Sequence, residues 1–157
     1  MRDIKFRGKS KRGGKWYYGS LITHKTKQHV ESLDSPLYNY KYQIQYLNGN
    51  NNWATIEVDP KTIGQYTGLK NHRGVEIYEG DIIEDDGEIG VVEWDEESIK
   101  FSAVVDNVTY DLCDYGRYTE VYGNIYDNPE LLGEWLNVKN KRRYSIREIR
   151  KVWIFNK

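Results

Sequence analysis

Two six-residue segments constrain this chain more than anything else in it. Tyr17-Tyr18-Gly19-Ser20-Leu21-Ile22 (YYGSLI) is echoed 61 residues later by Tyr78-Glu79-Gly80-Asp81-Ile82-Ile83 (YEGDII). A second echo, 59 residues apart, joins Ile63-Gly64-Gln65-Tyr66-Thr67 to Tyr122-Gly123-Asn124-Ile125-Tyr126. In each echo a glycine interrupts a run of aromatic and β-branched residues, which suit a half-buried pleated surface. Repetition at this spacing predicts two small β units. It names no chemistry.

The residues between the echoes support strands. Ile4 and Phe6 are separated from Trp16-Tyr17-Tyr18 by a polar turn containing Gly13-Gly14, the pattern of a hairpin. Gly19 then reads as a bulge or bend. Residues 24–39 read as a long loop or a poorly formed strand. Tyr42, Ile44 and Tyr46 alternate with Gln43 and Gln45, a period of two. The run Asn48-Gly49-Asn50-Asn51-Asn52 is a turn signal, after which residues 53–58 return as a strand. Asp59 precedes Pro60 and is placed to cap one helical turn. Residues 71–74 read as a tight turn.

The second half predicts strands at 81–84, 89–94, 99–105, 108–112 and 118–125, joined by short polar turns. Five short strands after a Gly-Asp opening suit a small SH3-like barrel, because closure hides strand edges. The expected fold is therefore mainly β, with two SH3-like barrel-type repeats at 1–66 and 67–128. A basic tail, 129–157, follows. In it residues 130–136 read as a short helix. Ser145 and Glu148 have capping-box spacing, with Ile146, Ile149, Val152 and Trp153 on one helical face. A strand over 152–155 is the competing reading.

Net charge is −1, but the charges are segregated. Residues 1–27 carry nine basic groups and one acid, residues 76–97 eleven acids and no base, and residues 139–157 eight basic groups and one acid. Such segregation points to a polyanionic or acidic partner, or to segments that neutralise one another across the fold. Trp16, with Lys11, Arg12 and Lys15 nearby, is a candidate contact for nucleic acid or a protein partner. Arg142, Arg143, Arg147, Arg150 and Trp153 form a second candidate set in the tail. Glu84, Asp85, Asp86 and Glu88 form a candidate acidic contact face. Residues 139–157 are expected to be dispensable for folding and to hold a partner or a second copy of the chain.

Catalytic signatures do not assemble. Gly8-Lys9-Ser10 resembles the end of a phosphate loop, but the required first glycine is replaced by Asp3. His24, His29 and His72 are scattered, and Cys113 is the single cysteine, which argues against a structural zinc site and an internal disulfide. Cys113 is expected to be a small buried hydrophobe. The run around Asp85-Asp86 lacks the ligand alternation of a calcium loop. Gly80-Asp81 reads as a turn held by side chain to backbone bonds. No cofactor, no metal and no enzymatic activity are expected. The charged start MRDIKFRGKSKRGGK argues against a secretory signal or membrane span, and the expected location is the cytoplasm.

Four segments together carry a family resemblance: IKFRGKS with KWYYGSLI, VDPKTIGQYTGLKNHRGVEIYEGDII, GVVEW, and VYGNIYDNPELL. They resemble the YopX family of phage and prophage proteins over residues 1–132. The resemblance implies a β fold of SH3-like repeats and an accessory role in a phage or prophage. It supplies no catalytic residues. The expected function is a non-catalytic module that binds a host or phage protein. Nucleic-acid binding through the basic ends is the alternative, with an enzyme a distant third.

Overall fold

The computed structural model describes residues 3–28, 37–85, 88–105, 108–115 and 119–132. The chain forms two compact units, Met1–Gln65 and Tyr66–Lys157. Both are built of antiparallel β-sheet, and the described helical structure is limited to short turns.

The first unit starts with the expected hairpin. Strand β1 (Phe6–Lys9) pairs with the start of β2 (Trp16–Gln28), from Phe6↔Gly19 to Lys9↔Trp16. The turn between them closes through Ser10 N–H to Lys15 O at 2.8 Å. Beyond Gly19, β2 takes a new partner on its other edge. It pairs with β3 (Leu37–Leu47) from Ser20↔Gln45 to Gln28↔Leu37. Residues 29–36 lie outside the described residues; of the two readings of 24–39, loop or poorly formed strand, the strand holds at 24–28 and 37–39. Their Lys, Gln and Asn residues have weak β propensity, and the cross-strand ladder holds them. Gly19, read as a bulge or bend, is the last β2 residue paired with β1, at the point where the strand changes partner. Its missing Cβ makes room for the Gln45 carbonyl.

Strand β4 (Trp53–Glu57) completes the meander against β3. The Asn48 side chain organises the connecting turn, accepting from the N–H groups of Asn50 and Asn52 at 3.0 Å each. Ile44 and Val58 are fully buried at the centre of the unit. A single 3₁₀ turn, Pro60–Thr62, is capped by Asp59, which accepts from Lys61 N–H. Thr62 Oγ1 then accepts from Lys9 N–H at 2.9 Å, tying the turn to β1. The first residues of β5 (Gly64–Lys70) pair with β1 at Arg7↔Gly64 and Phe6↔Gln65.

In the second unit the rest of β5 pairs with a short strand absent from the sequence reading, β6 (Glu76–Tyr78). Then follow β7 (Asp81–Asp85), β8 (Glu88–Asp95), β9 (Lys100–Val105), β10 (Val108–Asp111), a helical turn α1 (Leu112–Tyr115) and β11 (Glu120–Asn124). The sheet order is β10-β9-β8-β7-β11, so the last strand returns to lie beside the first. Where neighbouring residues are all apolar, as in Ile82-Ile83 and Val91-Val92, strand periodicity buries both faces. Ile83 and Val92 join Ile77, Phe101, Ala103 and Leu112 on one side. Ile82 and Val91 join Leu132 on the other. Leu132 comes from a 3₁₀ turn, Pro129–Leu132, where a short helix was expected over 130–136.

The expected barrels are not closed. Among the described residues β4 pairs only with β3, and no ladder joins β10 to β11. Closure needs matched tilt and shear around the whole circuit. Here β10 and β11 are only four and five residues long. The two echo glycines also differ. Gly19 lies inside a strand, whereas Gly80 sits in a turn with φ +80°.

The Gly80 turn is closed from three directions. Gly80 N–H donates to Val92 O at 2.8 Å, Gly80 O accepts from Ile125 N–H at 2.9 Å, and Asp81 Oδ2 accepts from Tyr78 N–H at 2.7 Å. A Cβ at Gly80 would lie 3.3 Å from Tyr126 Cε2 in a backbone conformation that disfavours any side chain. Gly80→Ala should therefore cost on the order of 1 kcal/mol or more. A urea midpoint equal to that of the wild type would show that the turn carries no such strain.

Candidate functional site

The basic turn proposed from sequence is assembled, and one of its charges, Lys11, is engaged. Lys11, Arg12 and Lys15 are exposed around the β1–β2 turn. Lys11 Nζ lies 2.6 Å from Glu57 Oε1, and Lys41 Nζ lies 3.3 Å from Glu57 Oε2. The Lys11 hydrogen bond, then that of Lys41, holds the Glu57 carboxyl below the usual carboxylate range. A lowered folded value means the pairing is present at neutral pH and lost as acid protonates Glu57. Trp16 is half-buried, with the guanidinium of buried Arg7 at 4.9 Å from its ring and Lys9 Nζ at 5.8 Å. The Arg7 guanidinium on the ring is itself buried, so Trp16 is a packed side chain rather than an open platform. Arg142, Arg143, Arg147, Arg150 and Trp153 lie outside the described residues, as does the capping box at Ser145 and Glu148.

The acidic segment does not form one face. Glu84, Asp85 and Glu88 stand at the β7–β8 hairpin, with Asp85 opposite Glu88; Asp86 lies outside the described residues. Asp95, Glu96 and Glu97 stand at the other end of β8, roughly 20 Å away for a strand of this length. There they border an open hollow of about 670 Å³ with Lys100 and Asp111. Two of its carboxylates, Asp95 and Asp111, are occupied. Asp95 accepts from the N–H groups of Glu97 and Ser98, and its bonds with Ser98 hold its pKa down. Asp111 accepts from Lys100, whose pKa that hydrogen bond raises. These bonds organise the turn.

Asp81 does what its sequence position suggested: it is buried and fastens the turn before β7. Cys113, by contrast, is exposed. The short α1 turn runs along the rim of the sheet and buries Leu112, which leaves its neighbour facing outward. Among the described residues no group of three or more His, Cys, Asp or Glu is placed to hold a metal ion. Among the described residues no helix is long and apolar enough to cross a membrane.

The surfaces best suited to contact lie on the β2–β3–β4 meander. On one face Leu47 and Trp53 stand opposite each other in register, 52% and 67% exposed. On the other face Ile44 is buried, but the same row continues outward along β3 through Tyr42 to Tyr40 and Tyr38, 50% and 43% exposed. Across from them on β2 stand Thr23, Lys25 and Lys27. Tyr40 and Tyr42 are near-parallel, with centroids 6.4 Å apart. Lys25 Nζ sits 3.9 Å from the Tyr38 centroid and 5.7 Å from that of Tyr40. These residues were not singled out because the polar run from 24 to 39 left loop and strand both open. The signal was present: the period of two at Tyr42, Ile44 and Tyr46 extends back through Tyr40 and Tyr38.

Comparison with curated proteins finds no match. A sequence model of the YopX protein family, however, matches residues 5–133, which include both described sheets. With well over half of its length matched in this way, the chain belongs to the YopX family.

Proposed function

We propose that the protein is a non-catalytic protein-interaction module, an accessory protein of a phage or prophage that works in the host cytoplasm. The observation that carries this reading is the Leu47–Trp53 pair. Two large apolar side chains face each other across the register of the outermost strand, and both are more than half exposed. Tryptophan is the residue most enriched at the energetic centres of protein interfaces. An outer strand also offers unpaired backbone groups to an added strand. The return of β11 to β7 after a helical turn supports reading the second unit as an open SH3-like unit. A three-strand meander follows each echo motif, which supports reading the halves as related. The basic segment 139–157 is assigned to contact with a second copy of the chain.

The reading is tested by affinity capture from lysate of the host. Wild type, Trp53→Ala and Val75→Ala are compared, the last removing an exposed apolar side chain in the other unit. A specific protein should be retained by wild type and Val75→Ala, and its affinity should fall at least about 30-fold with Trp53→Ala. The same captured set with all three baits would sink the proposal.

A further inference from the structure

We propose that the opposite face of the β2–β3 hairpin binds single-stranded nucleic acid without sequence preference. This goes beyond the protein-binding reading and uses other residues. Antiparallel register puts Tyr38 opposite Lys27, Tyr40 opposite Lys25 and Tyr42 opposite Thr23, so all six share one face. Ile44, on the same row, marks where this face enters the core. Outward from it the tyrosines lose their cover while the strand pairing continues to Gln28↔Leu37.

Three features of this face select the ligand. Among the described residues its charge is of one sign. Lys25 and Lys27 are cationic, and none of the six residues is a carboxylate. The nearby Glu57 stands opposite Gln43, on the other face, where it engages Lys11 and Lys41. The rings form a row. Alternate residues of one strand are roughly 7 Å apart, comparable to the separation of successive bases in an extended single strand. Tyrosines so placed accept base faces, and stacking tolerates any sequence because every base has a π-face. Finally, the cation is already parked on the rings. Lys25 Nζ over Tyr38 and Tyr40 holds the row in order, and an arriving phosphate would draw the ammonium off as a base takes its place. A duplex offers no exposed base faces and should bind less well. The segment 139–157 carries the same sign of charge, so it is not the complement of this face.

The test uses the full chain and fluorescence anisotropy with labelled oligothymidylate and oligouridylate, and with a duplex of equal length. Both single strands should bind more tightly than the duplex, with affinity falling as salt rises. Tyr38→Ala combined with Tyr40→Ala should weaken binding by about 10-fold or more. Lys25→Gln with Lys27→Gln should flatten the log–log salt slope by about 1.4, whereas Lys61→Gln, on the distant 3₁₀ turn, should leave it unchanged. Tyr38→Phe with Tyr40→Phe keeps the ring faces and should retain binding. No saturable binding at low salt would overturn the proposal, as would equal affinity for duplex. So would binding indifferent to both the alanine and the glutamine pairs, which would place the contact on the basic ends. If the alanine pair fails to fold, the glutamine pair decides, and an unchanged salt slope overturns the proposal. Loss of protein capture by Trp53→Ala with oligonucleotide binding intact, or the reverse, separates the two readings.

Discussion

Gly19→Ala is expected to destabilise the first unit by about 3 kcal/mol, the upper range for forcing a methyl group into a packed site. The cause is close approach, not backbone conformation. A Cβ at this position would fall on the Gln45 carbonyl oxygen, 3.0 Å from its carbon and 3.4 Å from Ile44 Cγ2. The obstacle is backbone, which cannot rotate aside. The carbonyl belongs to the residue that starts the β2–β3 ladder at Ser20↔Gln45, so displacement would open the hairpin at its root. Residue-resolved hydrogen exchange should show protection lost first along Ser20 to Gln28. Gly49→Ala is the contrast, since an added Cβ there meets nothing within 4 Å. It should change stability by less than about 1 kcal/mol. Equal urea midpoints for the two variants would refute the steric account.

Asp81→Ala should cost the second unit a similar amount, about 3 kcal/mol. Asp81 is 1% exposed and its Oδ2 accepts from Tyr78 N–H at 2.7 Å. Removing the acceptor strands the Tyr78 donor in a buried turn, at a cost of about 1–3 kcal/mol. The loss is not confined to one bond. The same turn presents Gly80 N–H to Val92 O and Gly80 O to Ile125 N–H, which align β8 and the chain after β11. Asp81→Asn keeps an oxygen acceptor in place and should cost only about half as much. If the alanine variant melts with the wild type, or if asparagine is as damaging as alanine, the bond is not what holds the turn.

Much of this architecture was legible from local chemistry. The Gly13-Gly14 hairpin, the Asn48 turn, the Asp59 cap and the Gly80-Asp81 turn each rest on a short-range bond or a φ preference that the residue carries with it. Sequence also exposed the alternation around Ile44 and the apolar strands whose consecutive residues must be buried on both faces. The site was less legible. The Trp16 cluster was assembled by the hairpin, but Arg7 and Lys9 cover the ring, and neither cover nor exposure can be read from spacing. The acids of 76–97 are continuous in sequence, yet an intervening eight-residue strand carries them to opposite ends of a sheet.

What the sequence alone determined is the set of turns, the period of two and membership of a mainly β family. Those properties belong to single residues and their near neighbours. Tertiary structure decided which strands continue and which side chains stay in water. Lys25, Lys27, Tyr38 and Tyr40 are extended because Ser20 to Gln28 find partners in Gln45 to Leu37, and a ladder between residues distant in sequence overrides weak local propensity. Among the described residues it also left both sheets with open outer strands. Closure depends on the lengths and registers of all strands together, and no segment of the chain carries that information by itself.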